Sequence, residues 1–474
     1  MSSMAPQDAT MYWLSARTRN DLFLLYCFTD TDCPTAQLRD VVAERSARIP
    51  DLRVRARAVP GNLDYPSWVR CEFRSDQFIE HVLPEPDWAH LQAALGEVVD
   101  TGVDAAVRPW RLHVFRGVVD APAQPDASPA LVAVLQMSHA LADGRRAAEI
   151  ARALFETEPA VDGAANSSAR GAPATSRFAT AKRVGISSTS ALRRSVPASL
   201  ALSLPRMPIQ VARTAFRGYK AFRAQQELAE LTAKGELPPP GPGFPPSLIN
   251  HECAEPNSAH LIRMLVCHAD ALRLPGRTVT VVVLTAVSIA LPRYLEQRGE
   301  PVERLGAQVP MALSATAMPN ARNNYRSLSI DLFIDEPDLC TRADKITADM
   351  TARRTRALHP LLAAQDRVTS VVPAPLLRRD IDRYPLDTVP GSIAGHTVVS
   401  SVHRGPANLS FGGGLVRYTA GFPAIGSVMR LTHGVHGLGD TVTISLHADS
   451  ATVPDIDAYA ALLRAALDEV RGLK

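Results

Sequence analysis

The amino-acid sequence predicts two mixed domains of the α/β or α+β class. Three observations carry that reading. Strand-like and helix-like stretches are interspersed in both halves of the chain. A Pro/Gly cluster, "ELPPPGPGFPPS" (Glu236 to Ser247), stands between the halves. The chain also has 474 residues, more than one hydrophobic core organises, so about two to three domains are expected.

The elements follow in order. In residues 1–155, "DLFLLYCF" (Asp21 to Phe28) and "WRLHVFRGV" (Trp110 to Val118) have the content of strands. "TAQLRDVVAERSARI" (Thr35 to Ile49) sets its apolar residues at helical spacing. "PALVAVLQM" (Pro129 to Met137) is a continuous apolar run of strand length, bounded by Pro and Ser. "AAEIARALF" (Ala147 to Phe155) returns to helical spacing, with Asp143 or Gly144 near its start. Residues 156–246 change in composition. "EPAVDGAANSSARGAPATSR" reads as a flexible linker. From Gly163 to Gln226 there are 11 Arg and Lys and no Asp or Glu, which leaves the rest of the chain mildly acidic. Residues 247–474 resume the mixed pattern. A buried helix is predicted over Thr278 to Leu295, with Pro292 bending it or ending it early. "LGAQVPMAL" (Leu305 to Leu313), "RSLSIDLFI" (Arg326 to Ile334) and "TVTISLHAD" (Thr441 to Asp449) read as strands, and the final "DIDAYAALLRAALDEVRGL" as an amphipathic helix.

Composition narrows the function. At 46% hydrophobic and 21% charged residues the chain is an ordinary globular protein, not a disordered one. A net charge of +3 is too small to argue for nucleic acid. The six cysteines form no C-x-x-C pair and no zinc spacing, so reduced thiols and a cytoplasmic location are expected, with no metal site. "MSSMAPQDAT" lacks the pattern of a signal peptide. The longest apolar stretch, "VTVVVLTAVSIAL", is shorter than the roughly 18–20 residues of a membrane span, so any membrane contact would be peripheral.

Chemistry is concentrated in "LQMSHALADGRRAAEI" (Leu135 to Ile150), where a buried strand gives way to Ser138 and His139, then Asp143 and Gly144. An imidazole titrating near neutrality can take a proton from an attacking hydroxyl and return it to a leaving group. A strand end holds such a base rigidly. Asp143 can pair with a neighbouring arginine or cap the following helix, and Gly144 permits a tight turn or a close backbone approach.

"SHALADG" after an apolar strand resembles the H-H-x-x-x-D-G signature of CoA-dependent acyltransferases, the superfamily of chloramphenicol acetyltransferase and peptide-synthetase condensation domains. The whole chain is similar to the bacterial wax ester synthase/diacylglycerol acyltransferase family. "QDATMYWL" (Gln7 to Leu14) is similar to its D-A-x-F/M-x-x-L opening, and "VRPWRLHVFRG" (Val107 to Gly117) to its R-P-L-W-E stretch. "RTVTVVVLTAVSIALPRYLEQRGE" (Arg277 to Glu300) resembles its T-V-N-D-V-x-L-A helix. "AQVPMALS" with "NNYRS", and "SSVHRGP" (Ser400 to Pro406), resemble its V-P-V-S-x-R, G-N and S-N-V-P-G-P motifs. The resemblance implies two chloramphenicol-acetyltransferase-like subdomains, residues 1–155 and 247–474, joined by the 156–246 crossover. The active site would lie in the cleft between them, in a tunnel open from both faces. It implies His139 as general base, Asp143 as structural support pointing away from the reacting atoms, and Gly144 as room for an acyl or pantetheine chain. Asn324 would be an oxyanion donor or loop brace, and Ser138 would stand beside the base. Acyl-CoA would be a co-substrate, a hydrophobic alcohol the acceptor, and no cofactor would be required.

Four departures fall in the cleft motifs. Ser138 replaces the first motif histidine, and Asn323 sits where the family has glycine. Arg108-Pro109-Trp110-Arg111 has lost a residue and an acid, and Ser401 to Pro406 has gained a residue and a positive charge. His433 and His436 in "THGVHGLGD" are expected in a loop beside the cleft, and His403 with Arg404 at CoA phosphates or in a solvated turn. The basic segment from Ser195 to Arg223 suits either an anionic membrane or lipid-droplet surface or an interdomain crossover. The sequence thus predicts an acyl-CoA-dependent O-acyltransferase. The alternatives are a condensation-like enzyme using a carrier-bound thioester or an amine acceptor, and a non-catalytic lipid-binding or lipid-droplet protein.

Overall fold

A computed structural model describes residues 2–156, 207–250, 258–314, 320–386 and 388–473. Two six-stranded sheets organise the chain. The first runs in the order Ser410–Phe411, Gly414–Gly421, Leu22–Thr29, Ala130–Met137, Trp110–Val118, Phe78–His81. Its strand Ala130–Met137 is buried at every position. Leu131, Ala133, Leu135 and Met137 pack toward Leu38, Val42, Ile150 and Leu154 of the helices Thr35–Arg48 and Gly144–Phe155. Ala130, Val132 and Val134 pack on the other face, toward Leu91, Leu95 and Val98 of the helix Trp88–Asp100. A strand covered on both faces needs no polar side, which is why its sequence is an unbroken apolar run.

The second sheet runs Tyr325–Asp331, Gly306–Ala312, Thr397–His403, Leu431–Leu438, Thr441–Asp449, His260–His268. The helices Val279–Gln297, Leu339–Ala357 and Ile456–Arg471 cover one face of it and build the largest core. Its edge strand His260–His268 lies against the helix Trp88–Asp100 of the first half, with Ile262 and Met264 in the same core as Leu91 and Leu95. Gly96 makes that approach possible, since a Cβ there would stand 2.2 Å from the His260 carbonyl oxygen.

The chain also crosses back. Residues 410–421 belong to the 247–474 segment, yet they complete the first sheet, pairing antiparallel with Leu22–Thr29. The Pro/Gly stretch is laid onto the second half, where Phe244 exchanges two backbone hydrogen bonds with Ile393 and is fully buried. The linker expected in "EPAVDGAANSSARGAPATSR" falls wholly within 157–206, outside the described residues, and the chain is described again from the helix Met207–Ala233.

Two expectations are corrected. Pro292 neither ends nor shortens its helix, which continues to Gln297. The Ser288 carbonyl, which loses its usual donor at Pro292, accepts instead from Arg342 Nη1 at 3.2 Å. This helix is long and apolar enough to cross a membrane, but 72% of that stretch is buried in the molecule. His433 and His436 lie in a strand, not a loop. The glycines beside them serve close packing rather than turning: a Cβ on Gly434 would stand 2.2 Å from the Gly421 carbonyl oxygen of the neighbouring sheet. His433 is bonded to Thr397 Oγ1 at 2.9 Å and to the Tyr459 hydroxyl at 2.7 Å.

Candidate active site

The strand Ala130–Met137 delivers the motif, and a tight turn holds it. Ser138 is fully buried, its N–H donating to the Pro109 carbonyl and its carbonyl accepting from Leu141 N, both at 2.8 Å. Asp143 caps the helix Gly144–Phe155, accepting from Arg146 N at 2.9 Å. Its second oxygen accepts from the backbone N–H of Asn324 at 3.0 Å, so this carboxylate ties the turn to a loop of the second half. Gly144 is exposed, and a Cβ there would meet Val402 at an ordinary 3.7 Å.

His139 keeps part of its surface open. Its Nδ1 lies 2.7 Å from Asn323 Oδ1, and the Asn323 amide nitrogen donates to the His139 carbonyl at 2.7 Å. The Tyr325 ring stands 5.9 Å away between centroids. Burial among these groups pulls the imidazole below its ordinary pKa, while its own carbonyl, Asn323 and the Asp143 charge pull the other way. The ring is therefore neutral at neutral pH and has a lone pair to offer.

Behind Asn323 stands Asp8 of the N-terminal helix Pro6–Leu14, with no exposed surface. It accepts from Arg322 N at 3.0 Å, Asn323 N at 2.9 Å and Asn323 Nδ2 at 3.1 Å. Burial raises this carboxyl to about 6 despite those hydrogen bonds. Arg322 and Arg146 share Asp51, at 2.7 and 2.9 Å, and the Arg322 guanidinium lies 4.7 Å from the centre of the Trp68 ring.

The sequence-predicted residues are thus brought together unequally. His139, Ser138, Asp143 and Gly144 share one turn. Asn324 meets Asp143 through its backbone only, and its side-chain amide donates to the Ser314 carbonyl at 2.6 Å. The asparagine on the imidazole is its neighbour Asn323. Arg404 is turned inward, 4% exposed, bonded to the Ala420 carbonyl and facing the Tyr26 ring, so it does not form a solvated turn. A cavity of about 610 Å³ opens beside the Asn323 loop, lined by Met4, Leu313, Ala321, Leu358 and Pro360 among others, and His139 does not line it. Sequence reasoning missed Asp8, Asp51, Asn323 as ring partner and Tyr325. Asp8 carried a signal as the acid of "QDATMYWL", and Asn323 and Tyr325 as members of "NNYRS"; Asp51 carried none. Among the described residues Glu85, Asp87 and His90 bring three ligand-type atoms together, and Asp87 caps a helix and holds His90 there.

Residues 4–253 match the model of the wax ester synthase/diacylglycerol acyltransferase catalytic domain, and residues 322–471 match that family's C-terminal domain. The chain belongs to this family. A protein of Mycobacterium tuberculosis that carries the provisional name diacylglycerol O-acyltransferase is 27% identical over 215 residues, 45% of this chain. The chain spans 41% of the length of that relative. The wax ester synthase/diacylglycerol acyltransferase of Marinobacter aquaeolei VT8 superposes with a TM-score of 0.61 at 17% identity, covering 100% of both chains. The starter condensation domain of rhizomide synthetase, solved with C8-CoA and Leu-SNAC, superposes with a TM-score of 0.53 at 12% identity, covering 99% of this chain and 94% of that one. The acyltransferase family shares its two-sheet fold with condensation domains, as the motif resemblance implies.

Proposed function

We propose that the chain is an acyl-CoA-dependent O-acyltransferase acting on a lipid-like alcohol. One observation carries the reading: His139 sits at a strand end where the two halves meet, with Nδ1 engaged by Asn323 and the opposite nitrogen left as the base. The alcohol oxygen attacks the thioester carbonyl as His139 Nε2 takes its proton. The C–O bond forms, the C–S bond breaks, and the proton passes to the departing CoA sulfur. No metal or redox cofactor enters that balance. The cavity beside the Asn323 loop, where Met4, Leu313, Leu358 and Pro360 stand with Arg326, His359 and Asp366, offers room for a chain with a polar end.

Contact with an anionic lipid surface is part of the same reading. On the helix Met207–Ala233, Phe216, Tyr219 and Phe222 recur at three-residue spacing and are 61%, 62% and 56% exposed. Lys220 and Arg223 lie among them, both exposed. Exposed aromatics interleaved with cations suit the headgroup region of an anionic monolayer or bilayer.

The test is thiol release from acyl-CoAs of several chain lengths against a panel of alcohols, with His139→Ala beside the unmodified chain. Release should vanish in the variant while its circular dichroism is unchanged. Equal turnover in a folded His139→Ala protein would remove the mechanism.

A further inference from the structure

We infer that Asn323, anchored by Asp8, is a positioning residue that fixes which nitrogen of His139 carries the proton. The inference rests on His139 being the base and names what keeps it competent.

The amide is held in one orientation by its surroundings. Asp8 is fully buried and collects N–H donors from Arg322, from the Asn323 backbone and from the Asn323 amide. An ionised carboxylate only accepts, so the NH₂ end of Asn323 must face it. The same NH₂ group donates to the His139 carbonyl at 2.7 Å. The amide oxygen is thereby left for the ring, 2.7 Å from Nδ1. An amide oxygen cannot donate, so Nδ1 must be the N–H and Nε2 the lone pair. Asn323 thus grips one residue at two points, its carbonyl and its ring, and sets both tautomer and ring direction.

The electrostatics fit a positioning role. A carboxylate directly on Nδ1 would favour the imidazolium and raise the pKa of the base. Here a neutral amide touches the ring and the charge of Asp8 sits one bond network behind. The other groups acting on His139 are the Tyr325 ring and the charge of Asp143, whose oxygens are taken by Arg146 N and Asn324 N, while the cations Arg322 and Arg146 are engaged by Asp51.

Two variants test it. Asn323→Ala should lower kcat roughly 10–100-fold, short of the ~10²–10⁴ expected for loss of the base itself. KM for acyl-CoA should stay within about twofold, because the amide touches the base and not the donor. In ¹⁵N-labelled protein the His139 ring should pass from a single Nδ1–H tautomer to a mixture. The paired exchange Asp8→Asn with Asn323→Asp keeps one acid and one amide but places the acid on the ring. The new acid cannot donate to the His139 carbonyl, so kcat should stay low, while the acid limb of kcat/KM should move up by about one pH unit. An unchanged tautomer and kcat in Asn323→Ala overturns the inference, as does an unmoved acid limb in the exchange variant if the single variant does not fold. Activity surviving in His139→Ala overturns the base instead, and the tautomer measurement still reports on Asn323.

Discussion

Removing the Asp51 carboxylate should cost stability and activity together. Asp51 follows the helix Thr35–Arg48 and receives three charge-assisted hydrogen bonds: Arg146 Nε at 3.0 Å, Arg146 Nη2 at 2.9 Å and Arg322 Nη1 at 2.7 Å. In Asp51→Ala both guanidiniums lose their anion. Breaking a buried pair costs about 3–5 kcal/mol. The Arg146 side chain is 37% exposed, so water screens its share. Arg322 is 14% exposed and keeps the Leu141 carbonyl, the Trp68 ring and the charge of the nearby Asp8. The net loss should therefore be about 2–3 kcal/mol, most of it from Arg322. Urea unfolding at neutral pH measures it. Burial alone would raise the Asp51 carboxyl, but the Arg146 hydrogen bond and the charges of Arg322 and Arg146 outweigh it and hold it below its usual range. A depressed folded pKa contributes stability that is present above the unfolded value of 3.8 and is lost as pH falls through the lower folded value. The gap between Asp51→Ala and the parent should accordingly narrow below about pH 4. Because Arg322 adjoins Asn323, kcat should fall as well. A loss under about 0.5 kcal/mol with unaltered kcat would refute the reasoning.

Two further outcomes are expected. Phe411 is 1% exposed and packs against Phe28 and Phe155 at 5.9 and 5.4 Å, so Phe411→Ala should destabilise the protein by about 3–5 kcal/mol in the same unfolding experiment. Little change would mean that residues 410–421 do not secure the first sheet. Phe216→Ser with Phe222→Ser should weaken co-sedimentation with phosphatidylglycerol vesicles at least tenfold and leave turnover of a short, soluble acyl-CoA unchanged. Equal sedimentation of variant and parent would assign those aromatics another role.

Local pattern made part of this structure legible and missed another part for physical reasons. The strand Ala130–Met137 could be read because burial on both faces leaves a continuous apolar signature. The helix after it begins at Gly144, ahead of its first periodic residue, because Asp143 caps it. His433 and His436 were hidden by their glycines, since sequence alone does not separate a glycine that turns from one that lets another strand approach. The pairing of residues 414–421 with Leu22–Thr29 has no local signature, as its partners are distant in the chain. At the candidate site the histidine and its capping aspartate follow from spacing. The choice of Asn323 over Asn324 does not. It depends on where a loop presents each side chain, and that is decided by Asp8 arriving from the N-terminal helix.

The late return of residues 410–421 has a consequence during synthesis. One edge of the strand Leu22–Thr29 stays unfilled until its partner emerges roughly 390 residues later. At ribosomal rates of about 5–20 residues per second, that is roughly 20–80 s with a sticky apolar margin open to other chains. A holding chaperone that covers this edge during synthesis should raise the yield of soluble material.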